Sequence, residues 1–291
     1  MKSHLQPVIF GEVLLDSFPD GTQVIGGAPF NVAWHMQAMG LHPIMISRVG
    51  GDPQARQIRA AMHSRGMSCV GLQMDSLHPT GVVQVSIDHG EPHYDIVAER
   101  AYDYIDATAL PKLPKQILLY HGSLALRNRA SRQTLQQLKD EHEASVFLDV
   151  NLRSPWWNQD DIYQWMHDAS WVKLNHLELQ QLQLASDDLL EAGHRRIENF
   201  DLEGMLITCG EQGALALDKQ GHVNRVVPEP VDQIVDTVGA GDAFTAVVLS
   251  GLIEGWPMHQ TMEKAQQLAS RIVTVRGALP RDNRVYQSIA G

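Results

Sequence analysis

Cysteine is nearly absent: the 291-residue chain has two, Cys69 and Cys209, in no spacing motif. That excludes a disulfide framework or a zinc site built on paired thiols, and a reducing cytoplasm is the simple setting. Long apolar runs are missing too. No stretch reaches the roughly 18 residues of a membrane span. Met1 to Gly11 lacks the basic-then-apolar order of a signal peptide. No membrane partner is therefore expected, and the expected location is cytoplasmic. Positive charge is in short supply, with 23 Lys and Arg against 34 Asp and Glu for a net charge of -11. A nucleic-acid partner is disfavoured, because phosphate backbones call for a basic face. A small anion needs only a local positive site. The 14 histidines are scattered along the chain, and packed or solvated roles are expected over metal ligation. No Gly-x-Gly-x-x-Gly follows the first strand, which argues against a dinucleotide-dependent dehydrogenase. Neither an internal repeat nor a low-complexity linker is present.

What is present is 44% hydrophobic residues, enough for a large core. A strand at Val8–Phe10 runs up to Gly11-Glu12, and Val13 to Asp16 reads as its continuation. A helix from about Pro29 to Met39, a strand at Ile44–Ser47 and a helix from Asp52 to Arg65 follow. Strand–helix alternation implies parallel pairing. The rhythm then breaks. Val82–Ile87 alternates, Asp88 to Glu91 is a turn signal, and Pro92–Val97 returns without a helix between. By pattern alone this hairpin is either an edge of the main sheet or a separate small sheet. Alternation resumes with Gln116–Tyr120, a helix over Asn128–Glu143, and strands at Ser145–Val150, Trp171–Leu174 and Met205–Thr208. A second hairpin spans Ala214–Leu217 and His222–Val227, and helices over about Gly241–Glu254 and His259–Val275 close the chain. The expected organisation is one α/β domain over 1–291.

The stretch with most chemistry is Asp236-Thr237-Val238-Gly239-Ala240-Gly241-Asp242. Its glycines open an apolar helix, so main-chain N–H groups and the positive end of the helix dipole converge on one pocket. No Gly-Lys-Ser/Thr follows, so this is not a P-loop. A carboxylate at the mouth of an anion pocket can take the proton of an attacking hydroxyl. Read without context, Asp242 is equally a capping residue in a tight strand-to-helix turn.

That stretch resembles the C-terminal signature of the ribokinase-like (PfkB) carbohydrate kinases. Gly26-Gly27-Ala28-Pro29-Phe30-Asn31-Val32-Ala33 resembles their N-terminal glycine signature, about two hundred residues upstream in the right order. The resemblance implies a three-layer ribokinase-like sandwich with a mainly parallel central sheet. It further implies a small discontinuous β lid, from 12–25 and 80–105, that covers the sugar. It implies ATP-dependent phosphorylation, with Asp242 as base and the N–H groups of Gly239, Ala240 and Gly241 as an anion hole. Arg153, in an Asn151-Leu152-Arg153 run followed by two tryptophans, is the implied contact to phosphate or sugar. Asp16, Gly27, Asn31 and Arg100 are the implied sugar contacts. Asn175 with Glu178 resembles the family's Asn-x-x-Glu element, Glu178 holding Mg²⁺ through water. The same spacing is that of a capping box. Thr208, Gly210 and Gly213 resemble its nucleotide loop, with Gly241 beside them. Asp236 is implied as a ligand for a monovalent cation such as K⁺. Two copies pairing through their lids is a further expectation.

Asn151-Leu152-Arg153 and Glu91-Pro92-x-Tyr94 resemble fructokinase-like members, so fructose is the expected acceptor. Ribose, 2-keto-3-deoxygluconate and nucleosides predict the same base and anion hole. A sugar or nucleotide sensor on the same scaffold predicts loss of Asp242 or of the turn glycines, and all of these are present.

Overall fold

The computed structural model describes residues 5–88, 91–186, 188–231 and 233–289. Thirteen strands form two sheets. In chain order the strands are β1 (Gln6–Phe10), β2 (Leu14–Ser17), β3 (Gln23–Gly26), β4 (Ile44–Val49), β5 (Leu72–Met74), β6 (Gly81–Asp88) and β7 (Glu91–Ile96). They continue with β8 (Gln116–His121), β9 (Glu143–Asp149), β10 (Trp171–Asn175), β11 (Gly204–Thr208), β12 (Ala214–Asp218) and β13 (Val223–Val226). The helices are α1 (Ala28–Ala38), α2 (Pro53–Arg65), α3 (Arg129–Glu141), α4 (Gln159–His167), α5 (His176–Gln181), α6 (Leu189–Phe200), α7 (Ala240–Glu254) and α8 (Met258–Ile272).

The large sheet has nine strands in the order β13-β12-β11-β10-β9-β8-β1-β4-β5. β12 pairs antiparallel with both neighbours, and every other pairing is parallel. Alternation along its strands divides the core. Ile9, Tyr120 and Leu206 join one apolar cluster with residues of α1, α2, α7 and α8. Val8, Phe10, Leu119 and Ile207 join the other, with α3, α4, α5 and α6. The result is the expected three-layer sandwich, because strands buried on both faces need a helical layer on each. The C-terminal ends of β1, β8, β9, β10 and β11 open on one side, where ligands of parallel sheets collect.

The hairpin of β6 and β7 does not extend that sheet. With β2 and β3 it makes a second sheet ordered β3-β2-β6-β7. One correction follows. Val13–Asp16 does not prolong the first strand. β1 ends at Phe10, and residues 11–13 carry the chain across to β2, which pairs with β3 and β6. Gly11 has φ +149°, and a Cβ there would lie 2.5 Å from the Pro29 ring. The crossing thus runs tight against the start of α1. Leu14 and Asp16 share a face of the small sheet with Val83, and Leu14 and Val83 pack on Tyr102 and Leu124 of the main body. β3 falls at the end of the expected 12–25 lid segment, whereas β5, α4 and α6 have no counterpart in the sequence pattern. The turn expected around His89 and Gly90 lies outside the described residues. Among the described residues no helix is long and apolar enough to cross a membrane.

Candidate active site

Helix α7 begins where the sequence places it. Gly239 is its N-cap with φ +82°, and a Cβ there would lie 2.3 Å from the Ala278 Cβ. Only glycine accepts both that left-handed backbone and that approach. The preceding turn is stapled by Asp236. Its carboxylate accepts from the main-chain N–H of Val238 at 3.0 Å and of Gly277 at 3.0 Å. The N–H groups of Val235 and Asp236 both donate to Val273 O, just beyond α8. The N–H groups at the start of α7 are therefore held on a rigid frame, that of Ala240 donating to Thr237 O at 3.4 Å.

Asp242 sits in the first turn of α7. Asn31 Nδ2, from α1, donates to Asp242 Oδ2 at 2.7 Å. That bond joins the two sequence signatures, 211 residues apart. α1 reaches this position because Gly27, its N-cap at φ +104°, lets the turn press on residue 12: a Cβ there would lie 2.8 Å from Glu12 O. Asp242 keeps some solvent contact, yet its surroundings strip enough water to push its pKa up to about 6. The Asn31 hydrogen bond and the Lys173 charge pull it down, Asp149 pushes it up, and Arg153 pulls it down again. A carboxylate with a pKa near 6 is ionised at neutral pH and basic enough to accept a hydroxyl proton.

Beneath the pocket lies an ion pair that sequence reasoning missed. Lys173 Nζ, from β10, contacts both carboxylate oxygens of Asp149, from β9, at 3.0 and 2.9 Å. Thr245 of α7 donates to the same carboxylate at 3.2 Å. Burial opposes the lysine's charge, but Asp149 and Glu178 more than offset that and leave its pKa raised. Lys173 Nζ lies 3.7 Å from where a Gly241 Cβ would be, so a fixed cation underlies the anion pocket. The signal was there to find: a lysine inside the buried strand Trp171–Asn175 and an aspartate closing the buried strand Glu143–Asp149. Charges in such strands are rarely buried unless paired.

Glu178 caps α5. It accepts from Asn175 N at 2.8 Å and from Leu152 N at 2.9 Å, while Asn175 Oδ1 accepts from Glu178 N at 2.9 Å. Both carboxylate oxygens thus hold main chain, a capping box that also ties down the Leu152-Arg153 loop. Burial raises the Glu178 pKa against the opposing pull of Lys173. Arg153 is exposed, and its charge lowers the pKa of Glu12, Asp16 and Asp242 alike. Asp16 faces in from β2, its pKa raised by burial and lowered by Arg153. Gly26 lies against it, since a Cβ there would be 3.4 Å from Asp16 Oδ2.

The remaining expected residues lie farther out. Thr208 ends β11 beside Asn175 of β10. Gly210 and Gly213 bound the next turn, where a Gly213 Cβ would fall 1.9 Å from Val226 O. Arg100 caps a short 3₁₀ turn through Asp103, with its Nε buried and without a partner. No hydrogen bond or ion pair joins these residues to Asp242 among the described residues. Glu12 was also missed. It is 3% exposed, and burial raises its pKa to about 7 despite its own main-chain N–H and Arg153.

The pfkB family carbohydrate kinase model matches residues 9–283. The chain belongs to the pfkB family of carbohydrate kinases. Fructokinase from Klebsiella pneumoniae is 30% identical, covering 93% of this chain and 94% of that protein. Aminoimidazole riboside kinase from Salmonella typhimurium is 27% identical, covering 96% of this chain and 92% of that protein. Vibrio cholerae O395 fructokinase, solved with fructose, ADP and calcium ion, superposes with a TM-score of 0.84 at 25% identity, covering 99% of this chain and 100% of that one. This pfkB kinase is accordingly an ATP-dependent enzyme that phosphorylates a carbohydrate.

Proposed function

We propose that this pfkB kinase transfers the terminal phosphoryl group of ATP to a primary hydroxyl of fructose, with Asp242 as the general base. The observation that carries the base assignment is the 2.7 Å hydrogen bond from Asn31 to Asp242, which fixes one carboxylate oxygen and leaves the other for the acceptor. The sugar oxygen attacks the terminal phosphorus, its proton passes to Asp242, and the bond from that phosphorus to ADP breaks. The N–H groups of Gly239, Ala240 and Gly241 face the charge that builds on the phosphoryl oxygens, with Lys173 behind them. Asp16, Gly27, Asn31 and Arg100 hold the sugar. Arg153 spans sugar and phosphate. Thr208, Gly210, Gly213 and Asn175 line the nucleotide.

Among the described residues no three His, Cys, Asp or Glu side chains cluster to hold a metal. That suits Mg²⁺, which keeps several waters and rests on nucleotide phosphates with one or two carboxylates. Glu178 would reach it through water, and the ion would neutralise the phosphates. Asp236, next to the main-chain oxygens of the turn, would serve K⁺. The small sheet acts as a lid that closes on the sugar and keeps water from competing. Its inner face leaves Val24 and Tyr94 exposed, at 40% and 58%, which supports pairing of two copies through their lids. The two free cysteines fit a cytoplasmic setting.

Fructose is favoured over a riboside by the fructokinase named above, at 30% identity against 27% for the riboside kinase. ADP release from MgATP, measured against fructose, ribose, glucose, 2-keto-3-deoxygluconate, adenosine and aminoimidazole riboside, tests the choice. Fructose should give the highest kcat/KM. A higher value for a riboside moves the assignment to that substrate, and silence across the panel with ATP bound refutes the kinase mechanism drawn here.

A further inference from the structure

Beyond α8 the chain runs back across both halves of the site. The segment from Gly277 to Ile289 first meets the turn before α7. Gly277 N donates to Asp236 Oδ2 at 3.0 Å, and Ala278 lies against Gly239, the N-cap of α7. The segment then reaches α1. Pro280 O accepts from Trp34 Nε1 at 3.2 Å, and Tyr286 Oη shares a hydrogen bond of 2.8 Å with His35 Nδ1. α2 closes over the join. Arg65 Nη1 donates to Asn283 Oδ1 at 2.7 Å, and its guanidinium carbon lies 4.9 Å from the Trp34 ring centre and 5.2 Å from that of Tyr286. The far end is pinned to α8, where Arg271 Nη1 donates to Val285 O and Lys264 Nζ to Ile289 O, each at 2.9 Å. Tyr286 and Ile289 are buried in the apolar cluster that α1 and α7 share.

One strap thus touches the two helices that carry the 2.7 Å bond between Asn31 and Asp242. His35 stands four residues after Asn31, one helical turn along the same face of α1. Its imidazole is fully buried and neutral, since burial and the Arg65 charge bring its pKa down to about 3 against the pull of the Ala278 main chain. A buried ring nitrogen that loses its partner costs free energy, so the bond to Tyr286 resists any slide of α1 against the strap. We propose that Tyr286 is a positioning residue for phosphoryl transfer: through His35 it sets α1 so that Asn31 meets Asp242, while the start of the same strap frames the N-cap of α7. The proposal rests on Asp242 as the base and deepens that reading, because it names what holds the donor to Asp242 from outside the cleft. Tyr286 acts by position alone. Its hydroxyl stays uncharged up to about pH 12. The charges that act on Asp242 are those of Lys173, Asp149, Arg153 and Glu12, none of which lies on the strap.

The test is Tyr286→Phe, which keeps the packed ring and deletes one hydroxyl. It is read from the pH profile of kcat/KM with the sugar that the wild-type enzyme phosphorylates best, so the choice of sugar does not enter. Thermal melting checks that the variant is folded. With α1 less firmly set, Asn31 holds the Asp242 proton equilibrium down less well. The acidic limb should therefore move up by about half a pH unit, the direction expected for Asn31→Ala and a smaller step. Added to Asn31→Ala, Tyr286→Phe should shift the limb no further, because its route to Asp242 is already cut. A folded Tyr286→Phe that melts lower with its limb in place marks a purely structural contact and overturns the proposal. So does a second shift on top of Asn31→Ala. A limb that Asn31→Ala leaves in place overturns it as well, since Asn31 then carries nothing to Asp242. Failure of the base reading shows separately, as turnover retained by Asp242→Asn.

Discussion

Asp242→Asn should produce an enzyme that is dead and more stable, with a stability gain that depends on pH. Burial raises the Asp242 pKa from 3.8 to about 6. The folded protein therefore holds this proton more tightly than the unfolded chain does, and ionising the group in place costs stability. The cost is absent below pH 3.8, grows between there and about 6, and is complete at neutral pH. A difference of about two pKa units, at about 1.4 kcal/mol each, gives about 2–3 kcal/mol. Asparagine carries no charge, keeps the shape and still accepts from Asn31. Melting of wild type and variant at pH 4, 6 and 8 should show a difference that opens from near zero to about 4–8 °C. Turnover should follow the opposite course. Wild-type kcat/KM should fall tenfold per pH unit below a midpoint near 6, and Asp242→Asn should be inactive throughout while still binding ATP. A melting difference that is flat across pH, or a variant less stable than wild type at pH 8, refutes the idea that a desolvated carboxylate is held at this position. Retained turnover refutes the base.

Asn31→Ala removes the donor that holds the Asp242 pKa down, so the acidic limb of kcat/KM should move up by about one pH unit; an unmoved limb means the 2.7 Å bond does not tune the base. Lys173→Met strands the Asp149 carboxylate, 1% exposed, without its cation, and denaturant melts should show a loss of about 3–5 kcal/mol, relieved by adding Asp149→Asn. Gly239→Ala forces a left-handed alanine against Ala278; it should cost about 1–3 kcal/mol in the same melts and lower kcat more than tenfold, since the anion-hole frame must shift.

The sequence alone determined the strand–helix rhythm and both glycine signatures. It also marked Asp242 as a candidate from local chemistry, a turn that only glycine can make at a helix start, whereas Asn31 was a candidate only through the family resemblance. It also held Asn175 and Glu178 as a capping box, which the structure contains, since that motif closes within one helical turn. Pattern misjudged Val13–Asp16. Alternation tells which residues share a face and is silent on which sheet a strand joins; that was decided by the tight crossing at Gly11 and by pairing with β6, far along the chain. The three-residue β5 is too short to show a period, and α4 and α6 bury only a few side chains each. Only tertiary structure set Lys173 on Asp149, Asn31 on Asp242, and Glu178 on the main chain of Leu152. Those contacts join different strands and loops, and their energies depend on burial. A charged residue in a sequence carries no mark of how far from water the fold will take it.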